Sequence, residues 1–190
     1  SERRSGEEAI AELEDSATRL QRLINSFEER REIAEAKRGE IPVLEKGAGL
    51  VEKRTGLAAR QGSLEWPSEG RLLQRFGRHV HPEFGTTTFN SGIDIEAEAG
   101  MPIRSVAAGS VDYVSTVPGY GNCVIVNHGD GFYTVYAHAS EVLVKAGVAV
   151  AEGQIIARVG STGSLSGDRL HFEVRDRKKP VDPLLWLKRR

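Results

Sequence analysis

Glycine is distributed unevenly along the chain, and this divides the chain into two parts with different folding requirements. Residues 1–60 hold 5 of the 21 glycines and a single aromatic residue, Phe27. The later glycines interrupt short β-rich runs at regular intervals, which is typical of an all-β domain with tight turns. The composition changes at residues 61–67, where Pro67 favours extended backbone at Trp66. We therefore predict a helical segment at residues 1–60 and a β domain at residues 61–190.

The apolar residues of the first part recur in steps of three and four, which indicates an amphipathic helix with a heptad seam. Such a seam either pairs with another helix as a coiled coil or packs on the chain's own domain, and the sequence leaves both open. Glu28 and Glu32 are expected to belong to a solvated face of this helix. Gly39 and Pro42 are expected to end it. The seam consists of Ile10, Leu13, Ala17, Leu20, Ile24, Phe27 and Ala34.

A second and weaker helix is predicted over residues 43–60. Gly47, Gly49 and Gly56 interrupt this stretch, and each glycine lowers helix stability by up to about 1 kcal/mol relative to alanine. A helix of this composition requires a surface to dock against.

The β domain is predicted from eight short runs of β-forming residues. Apolar and aromatic residues recur at every second position, for example at Tyr133 and Val135, as expected where one sheet face is buried and the other is solvated or functional. The spacing of the runs indicates an antiparallel sheet. The predicted fold class is a mainly β domain preceded by an α-helical or coiled-coil segment. The runs cover residues 71–76, 93–97, 103–107, 110–117, 122–128, 132–138, 155–159 and 170–175.

The charge balance argues against nucleic acid as a partner. Lys and Arg total 26 against 27 for Asp and Glu, so the net charge of −1 provides no overall field that would attract phosphates. Cys123 lies in an apolar run and is expected to be buried, and as the only cysteine it forms no intrachain disulfide. No apolar run approaches the ~20 residues of a membrane span. Because the chain begins at Ser1, a leader peptide is not observable.

An ordered series of short motifs carries a family resemblance. The series resembles that of the LytM/lysostaphin-type zinc metallopeptidases over residues 64–187, and the order and spacing of many motifs make it specific. The resemblance implies an antiparallel β-sheet domain with a groove. The motifs include Trp-Pro-x-x-Gly at 66–70, Arg-Phe-Gly at 75–77, Gly-Ile-Asp-Ile at 92–95, Gly-Tyr-Gly-Asn at 119–122, Tyr-Ala-His at 136–138 and Leu-His-Phe-Glu-Val at 170–174.

The resemblance also implies a zinc site that this sequence has lost in part. The positions of Asp94 and His171 match zinc ligands of active members, and the position of His138 matches a catalytic histidine. Asn90 stands where a third ligand is expected, and Arg169 stands where a second catalytic histidine is expected. The sequence therefore looks like a degenerate peptidase that is not an enzyme.

These two replacements remove the chemistry that zinc hydrolysis needs. An amide oxygen at Asn90 is a weak donor, which leaves two good ligands where a catalytic site normally has three. Arg169 remains protonated, cannot act as a general base, and is free to pair with Asp94. We therefore expect no zinc or other cofactor. His79 and His81 could supply a substitute ligand, although a solvated loop is the expectation for that segment.

A helical segment joined to a metal-deficient LytM-like domain resembles the EnvC-type murein hydrolase activators. That resemblance implies a periplasmic protein that binds an N-acetylmuramoyl-L-alanine amidase and activates it during daughter-cell separation. It also implies a membrane cell-division complex as a partner of the helical segment. Two other functions remain open, a zinc endopeptidase of peptidoglycan cross-bridges and a passive peptidoglycan-binding scaffold.

The partner is expected to bind in the groove that descends from the peptidase cleft. Aromatic and arginine side chains suit such a binding site. The weak helix at residues 43–60 is expected to fold over the groove and restrain it. The residues predicted to line the groove are Ser91, Asp94, Tyr120, Tyr136, His138, Arg169, His171 and Arg175.

Overall fold

A computed structural model of the chain describes residues 2–39, 56–80 and 87–190. The first element is the helix α1, Glu2–Gly39, which has 38 residues and is roughly 57 Å long at 1.5 Å per residue. The described part of this helix reaches Gly39, and Pro42, the other residue predicted to end it, lies outside the described residues. In the described part of the chain, no helix combines the length and the apolar composition needed to cross a bilayer.

Within the described residues 56–80 and 87–190, twelve β-strands follow α1. The eight predicted runs all contain strands, and the additional strands are β2, β3, β9 and β12. The strands are β1 (Arg71–Gln74), β2 (Gly77–Val80), β3 (Thr87–Asn90), β4 (Ile93–Glu96), β5 (Pro102–Arg104), β6 (Gly109–Val117), β7 (Gly121–Gly129), β8 (Phe132–Val142), β9 (Ala149–Val150), β10 (Ile155–Val159), β11 (Arg169–Asp176) and β12 (Lys179–Val181). Two short 3-10 helices are present at Leu57–Arg60 and Pro183–Leu185.

The strands form one large antiparallel sheet and a separate hairpin. The main strand order is β1-β4-β11-β8-β7-β6-β9, and β10 pairs with both β5 and β8. β12 pairs with β11, and β2 pairs with β3 outside the main sheet. The predicted fold class, a mainly antiparallel β domain preceded by a helix, is confirmed.

The alternation of side chains along β11 explains the two layers of the domain. Leu170, Phe172 and Val174 point into the larger core, which the 3-10 helices and the strands β5 and β10 complete. Intervening residues point to the opposite face, and there Glu173 pairs with Val135 across the neighbouring strand. This second face is called the groove face below. It carries a smaller apolar cluster of Val117, Tyr120, Cys123, Ile125, Tyr133, Val135 and Ala137.

The helix α1 covers the groove face. Leu20 and Ile24 are both 0% exposed and belong to the same cluster as Cys123, and Phe27 packs against Tyr113 with ring centroids 6.2 Å apart. Full burial of each aliphatic side chain stabilises the docked helix by roughly 1.5–3 kcal/mol. The middle of the heptad seam therefore packs on the chain's own domain, so coiled-coil pairing through these residues would require α1 to leave the sheet.

Two sequence predictions about segments need correction. Residues 43–55 of the predicted restraining helix lie outside the described residues, and residues 57–60 form a 3-10 helix that docks away from the groove face. Leu57 enters the larger core, and Arg60 pairs with Glu152 at 2.5 Å. His79 lies in strand β2, not in a loop, and its Nε2 contacts the Arg75 carbonyl at 2.6 Å. His81 lies outside the described residues.

Candidate functional site

Asp94 and His171, which the sequence predicts to match former zinc ligands, lie at one end of the groove face, on the adjacent strands β4 and β11. Asp94 pairs with His171 in the antiparallel register, which places their side chains together on one face. The Tyr120 ring stacks edge-on against the His171 ring at 5.3 Å. These three residues are 5–8% exposed. The short loop before β4 adds Ser91, which is half-buried.

His171 is held between two carboxylates. Its Nδ1 is 2.8 Å from Asp94 and its Nε2 is 3.0 Å from Glu173. Burial opposes the charged form of the ring, but the two hydrogen bonds outweigh it and raise the pKa of His171 to about 9. Burial likewise raises the pKa of Asp94, but the bond to His171 and the charges of His171 and Arg169 bring it below its ordinary value. At neutral pH the ring is therefore an imidazolium that donates through both nitrogens.

Asn90 and Arg169 complete this end of the groove. The amide of Asn90 accepts a 3.2 Å hydrogen bond from the Gly92 N–H and lies 3.5 Å from Asp94. The Arg169 guanidinium is 3.7 Å from the same carboxylate, with its side chain 11% exposed. Asp94 is therefore surrounded by donors and cations of the protein itself.

This donor set does not fit a zinc centre. Zinc takes neutral imidazole nitrogen or carboxylate oxygen, whereas both nitrogens of His171 are already engaged by the carboxylates of Asp94 and Glu173. The Arg169 guanidinium places a positive charge beside the remaining carboxylate. Within the described ranges, three His, Cys, Asp or Glu side chains are nowhere grouped in a way that could hold a metal ion.

His138 joins the groove face through an unusual backbone conformation. Its φ of 64° lies in the left-handed region, and its N–H donates to the Tyr120 carbonyl at 2.8 Å. The Nδ1 is 2.8 Å from the Thr162 carbonyl. Burial and the charge of His171 lower the pKa of His138 to about 4. The ring is therefore neutral at pH 7, with the proton on Nδ1 and a bare acceptor at Nε2.

Tyr136 does not line the groove, and that prediction is corrected. Its spacing of two residues from His138 predicts a shared face for the two side chains, but the left-handed turn at His138 breaks the alternation. Tyr136 is 0% exposed in the larger core, where it packs against Phe172 at 5.3 Å. Its hydroxyl accepts from the Val106 N–H at 3.1 Å.

Arg175 lies further along β11 and connects the groove face to α1. Its Nε donates to Glu173 at 2.6 Å, and its Nη1 donates to the side-chain oxygen of Gln21 at 2.7 Å. Glu173 is 0% exposed and also accepts from the Tyr120 hydroxyl at 3.2 Å. A continuous buried polar network therefore runs from Asp94 and His171 to the helix.

Three residues of α1 that the sequence did not assign to the site lie against the groove face. Ser16 contacts Gly119, Gln21 contacts Arg175, and Glu28 is only 1% exposed. The sequence predicts a solvated face for Glu28, but it lies beside the Tyr133 hydroxyl and 3.3 Å from Arg31. The heptad seam was the only sequence signal for this contact, because Gln21 and Glu28 immediately follow seam residues.

Comparison with known proteins places this architecture in a family. Residues 88–183 match the profile of Peptidase family M23. The chain is 39% identical over 140 residues to the cell division protein DipM of Caulobacter vibrioides, covering 70% of this chain and 22% of DipM. It is 42% identical over 126 residues to the murein hydrolase activator NlpD of Escherichia coli, covering 66% of this chain and 31% of NlpD.

A solved structure shares the fold. The crystal structure of a zinc-containing peptidase from Vibrio cholerae superposes with a TM-score of 0.60 and 32% identity, over 65% of this chain and 40% of that one. The chain thus spans less than half the length of each of these three proteins.

Proposed function

The chain belongs to peptidase family M23, and from this premise we propose that it is a non-catalytic murein hydrolase activator. It binds a zinc-dependent N-acetylmuramoyl-L-alanine amidase on the periplasmic side of the envelope and relieves the autoinhibition of that enzyme, so that septal peptidoglycan is split as daughter cells separate. The names of the two relatives, a murein hydrolase activator and a cell division protein, support this function.

One observation carries the non-catalytic part of the proposal: groups of the protein already engage the residues that would bind zinc. Asp94 and Glu173 take both ring nitrogens of His171, and Arg169 lies against Asp94. Metal-dependent hydrolysis needs an open metal position and a group that accepts a proton from water. The guanidinium of Arg169 stays protonated at neutral pH and supplies neither. His138 keeps an acceptor nitrogen, but a proton acceptor alone does not provide the metal position.

The groove face supports the binding part of the proposal. It combines an apolar floor with buried tyrosine and arginine side chains, a composition suited to the centre of a protein interface. It also accepts an amphipathic helix, since α1 lies on it through Leu20 and Ile24. A helix of the amidase that binds the same floor would have to replace α1, so we propose that α1 restrains the activator until it is displaced.

A zinc endopeptidase is the second candidate, and the similarity to the zinc-containing peptidase of Vibrio cholerae favours it. It would require a metal ligand in place of Asn90 and the displacement of Arg169 from Asp94. Neither change is available without rearranging the buried ion pairs.

A dye-release assay on labelled murein sacculi tests the proposal. The chain alone, a periplasmic amidase alone and the two together are compared, with and without added zinc. We expect dye release above the amidase level only in the mixture, and no release by the chain alone. Release by the chain with zinc would establish the endopeptidase, and a mixture no faster than the amidase alone would disprove activation.

A further inference from the structure

The buried guanidinium of Arg175 makes one of the polar contacts that join the groove face to α1. Arg175 is 1% exposed, and its Nη1 donates to the Gln21 amide oxygen at 2.7 Å. The guanidinium carries a full positive charge, whereas a glutamine side chain is neutral. The helix therefore offers the Arg175 guanidinium an uncharged acceptor, which binds a cation more weakly than a carboxylate does.

Glu173 does not compensate Arg175 by itself, because its carboxylate is shared. One oxygen accepts from Arg175 Nε at 2.6 Å. The other accepts from His171 at 3.0 Å and from Tyr120 at 3.2 Å. The bond from Arg175 to the neutral Gln21 amide is already assisted by the charge of the guanidinium, and a carboxylate acceptor would add the attraction between two full charges. A second carboxylate that accepts from Arg175 Nη1 would therefore make a stronger contact than the Gln21 amide does.

Glu28, a buried carboxylate among the described side chains of α1, is directed elsewhere. Glu28 lies beside Arg31 at 3.3 Å and beside the Tyr133 hydroxyl, about two turns from Gln21 along the helix. Asn25, one turn after Gln21, contacts the Gln21 amide nitrogen at 2.9 Å and adds no charge. The acceptor that α1 provides to Arg175 Nη1 is therefore the neutral amide of Gln21.

We propose that the partner segment that replaces α1 presents an aspartate or glutamate to Arg175. This inference rests on the proposed function and adds the chemistry of the partner segment. That segment is an amphipathic helix with aliphatic residues in the places of Leu20 and Ile24 and an acidic residue in the place of Gln21. A helix tethered to its own domain acts at a high effective concentration. A stronger contact at Arg175 gives an untethered partner the means to displace it.

The preference of Arg175 for a carboxylate is measurable inside the chain with a double-mutant cycle. The four proteins are wild type, Gln21→Glu, Arg175→Met and the double variant. Gln21→Glu also loses the bonds from the amide nitrogen to the Lys178 carbonyl and to Asn25. The cycle cancels those losses because they occur in both backgrounds.

Alkylation of Cys123 reports the opening of α1. Cys123 is 0% exposed and is covered by Leu20 and Ile24 on the groove face, so its thiol reacts when the helix leaves. Fluorescence of Trp66 and Trp186, which belong to the larger core on the other side of the sheet, separates unfolding of the β domain from helix opening. Arg175→Gln serves as a second neutral background if Arg175→Met does not fold.

When residue 175 is arginine, we expect Gln21→Glu to slow Cys123 alkylation. This slowing should be about tenfold greater than the change that Gln21→Glu causes in the Arg175→Met protein. A ratio near one would overturn the inference, and it would do so without reference to any amidase. The proposed function fails separately, if no periplasmic amidase is activated by the wild-type chain.

A second arm uses the amidase. Each acidic residue of the amidase segment that binds the activator is changed to the matching amide, and binding is measured to wild-type activator and to Arg175→Gln. One such change should weaken binding to wild type by about tenfold and have no further effect on Arg175→Gln. Effects that add independently for every acidic residue would contradict a carboxylate contact at Arg175.

Discussion

Ser16 of α1 lies directly against Gly119 of the sheet domain, so that a Cβ atom added to Gly119 would be 2.4 Å from the Ser16 hydroxyl oxygen. Gly119 also has a φ of 73°, where a side chain is strained. The absence of a side chain at this turn is therefore what allows the helix to approach the groove face.

Gly119→Ala is expected to push α1 away from the sheet and to raise the rate of Cys123 alkylation by about tenfold, because the new methyl group overlaps Ser16. Gly153→Ala is the matched control. Gly153 has a φ of 74°, and a methyl group added there would have no neighbouring atom within 4 Å in the described part of the chain. The Gly153→Ala variant therefore has the same backbone strain as Gly119→Ala but no steric clash. Equal alkylation rates in the two variants would show that contact with Ser16 does not position the helix.

Ile24→Ala tests self-restraint. Removing a fully buried aliphatic side chain costs about 2–5 kcal/mol. Ile24 of α1 packs against the apolar residues of the groove face, so its removal destabilises the docked position of the helix. We expect faster activation of the amidase in the dye-release assay. Ile33→Ala is the control on the same helix, since Ile33 is 56% exposed. Slower activation by Ile24→Ala would instead make α1 part of the binding surface.

Much of the β domain could be predicted because strand spacing and alternation are local properties of the sequence. The hairpin of β2 and β3 was missed because its sequence, Gly77–Val80 and Thr87–Asn90, is mostly polar and its strands do not enter the main sheet. The strand β9 has only two residues, which is too short to produce a periodic signal.

The candidate site was predictable only in part, for two physical reasons. Residues two apart on a strand share a face, and this rule fails at Tyr136 and His138 because of the left-handed backbone at His138. A heptad seam predicts that a helix buries one stripe, but it does not identify the surface that the stripe covers. Leu20 therefore predicted a helix, and only the three-dimensional structure located it over the groove.

Restoring histidine at both altered positions tests the origin of the cleft. Asn90→His with Arg169→His removes the guanidinium next to Asp94 and supplies two imidazoles near that carboxylate. We expect about one zinc ion per chain by metal analysis after dialysis, and substoichiometric zinc for Asn90→His alone, because Arg169 still competes for Asp94. If the double variant held no more zinc than wild type, the bonds of His171 to Asp94 and Glu173 would be too strong for the metal to replace.

His128 is expected to make the domain sensitive to acid. Its Nδ1 is 2.9 Å from the Ala108 carbonyl and its Nε2 is 2.7 Å from the Thr134 hydroxyl, which in turn contacts the Tyr136 hydroxyl at 3.0 Å. The neutral ring donates to the Ala108 carbonyl, and its burial opposes the positive charge that protonation would add. Burial lowers the pKa of His128 from 6.5 to about 4, and the bond to Ala108 offsets only part of that shift.

Because the folded pKa lies below the unfolded value, the stability that neutral His128 contributes is complete above about pH 6.5 and is lost progressively as pH falls toward about 4. His128→Gln keeps a donor and an acceptor but does not titrate. The melting temperature of wild type should therefore exceed that of His128→Gln at about pH 7.5, and the difference should shrink toward pH 4. A constant difference between wild type and His128→Gln across this range would mean that protonation of His128 is not coupled to unfolding.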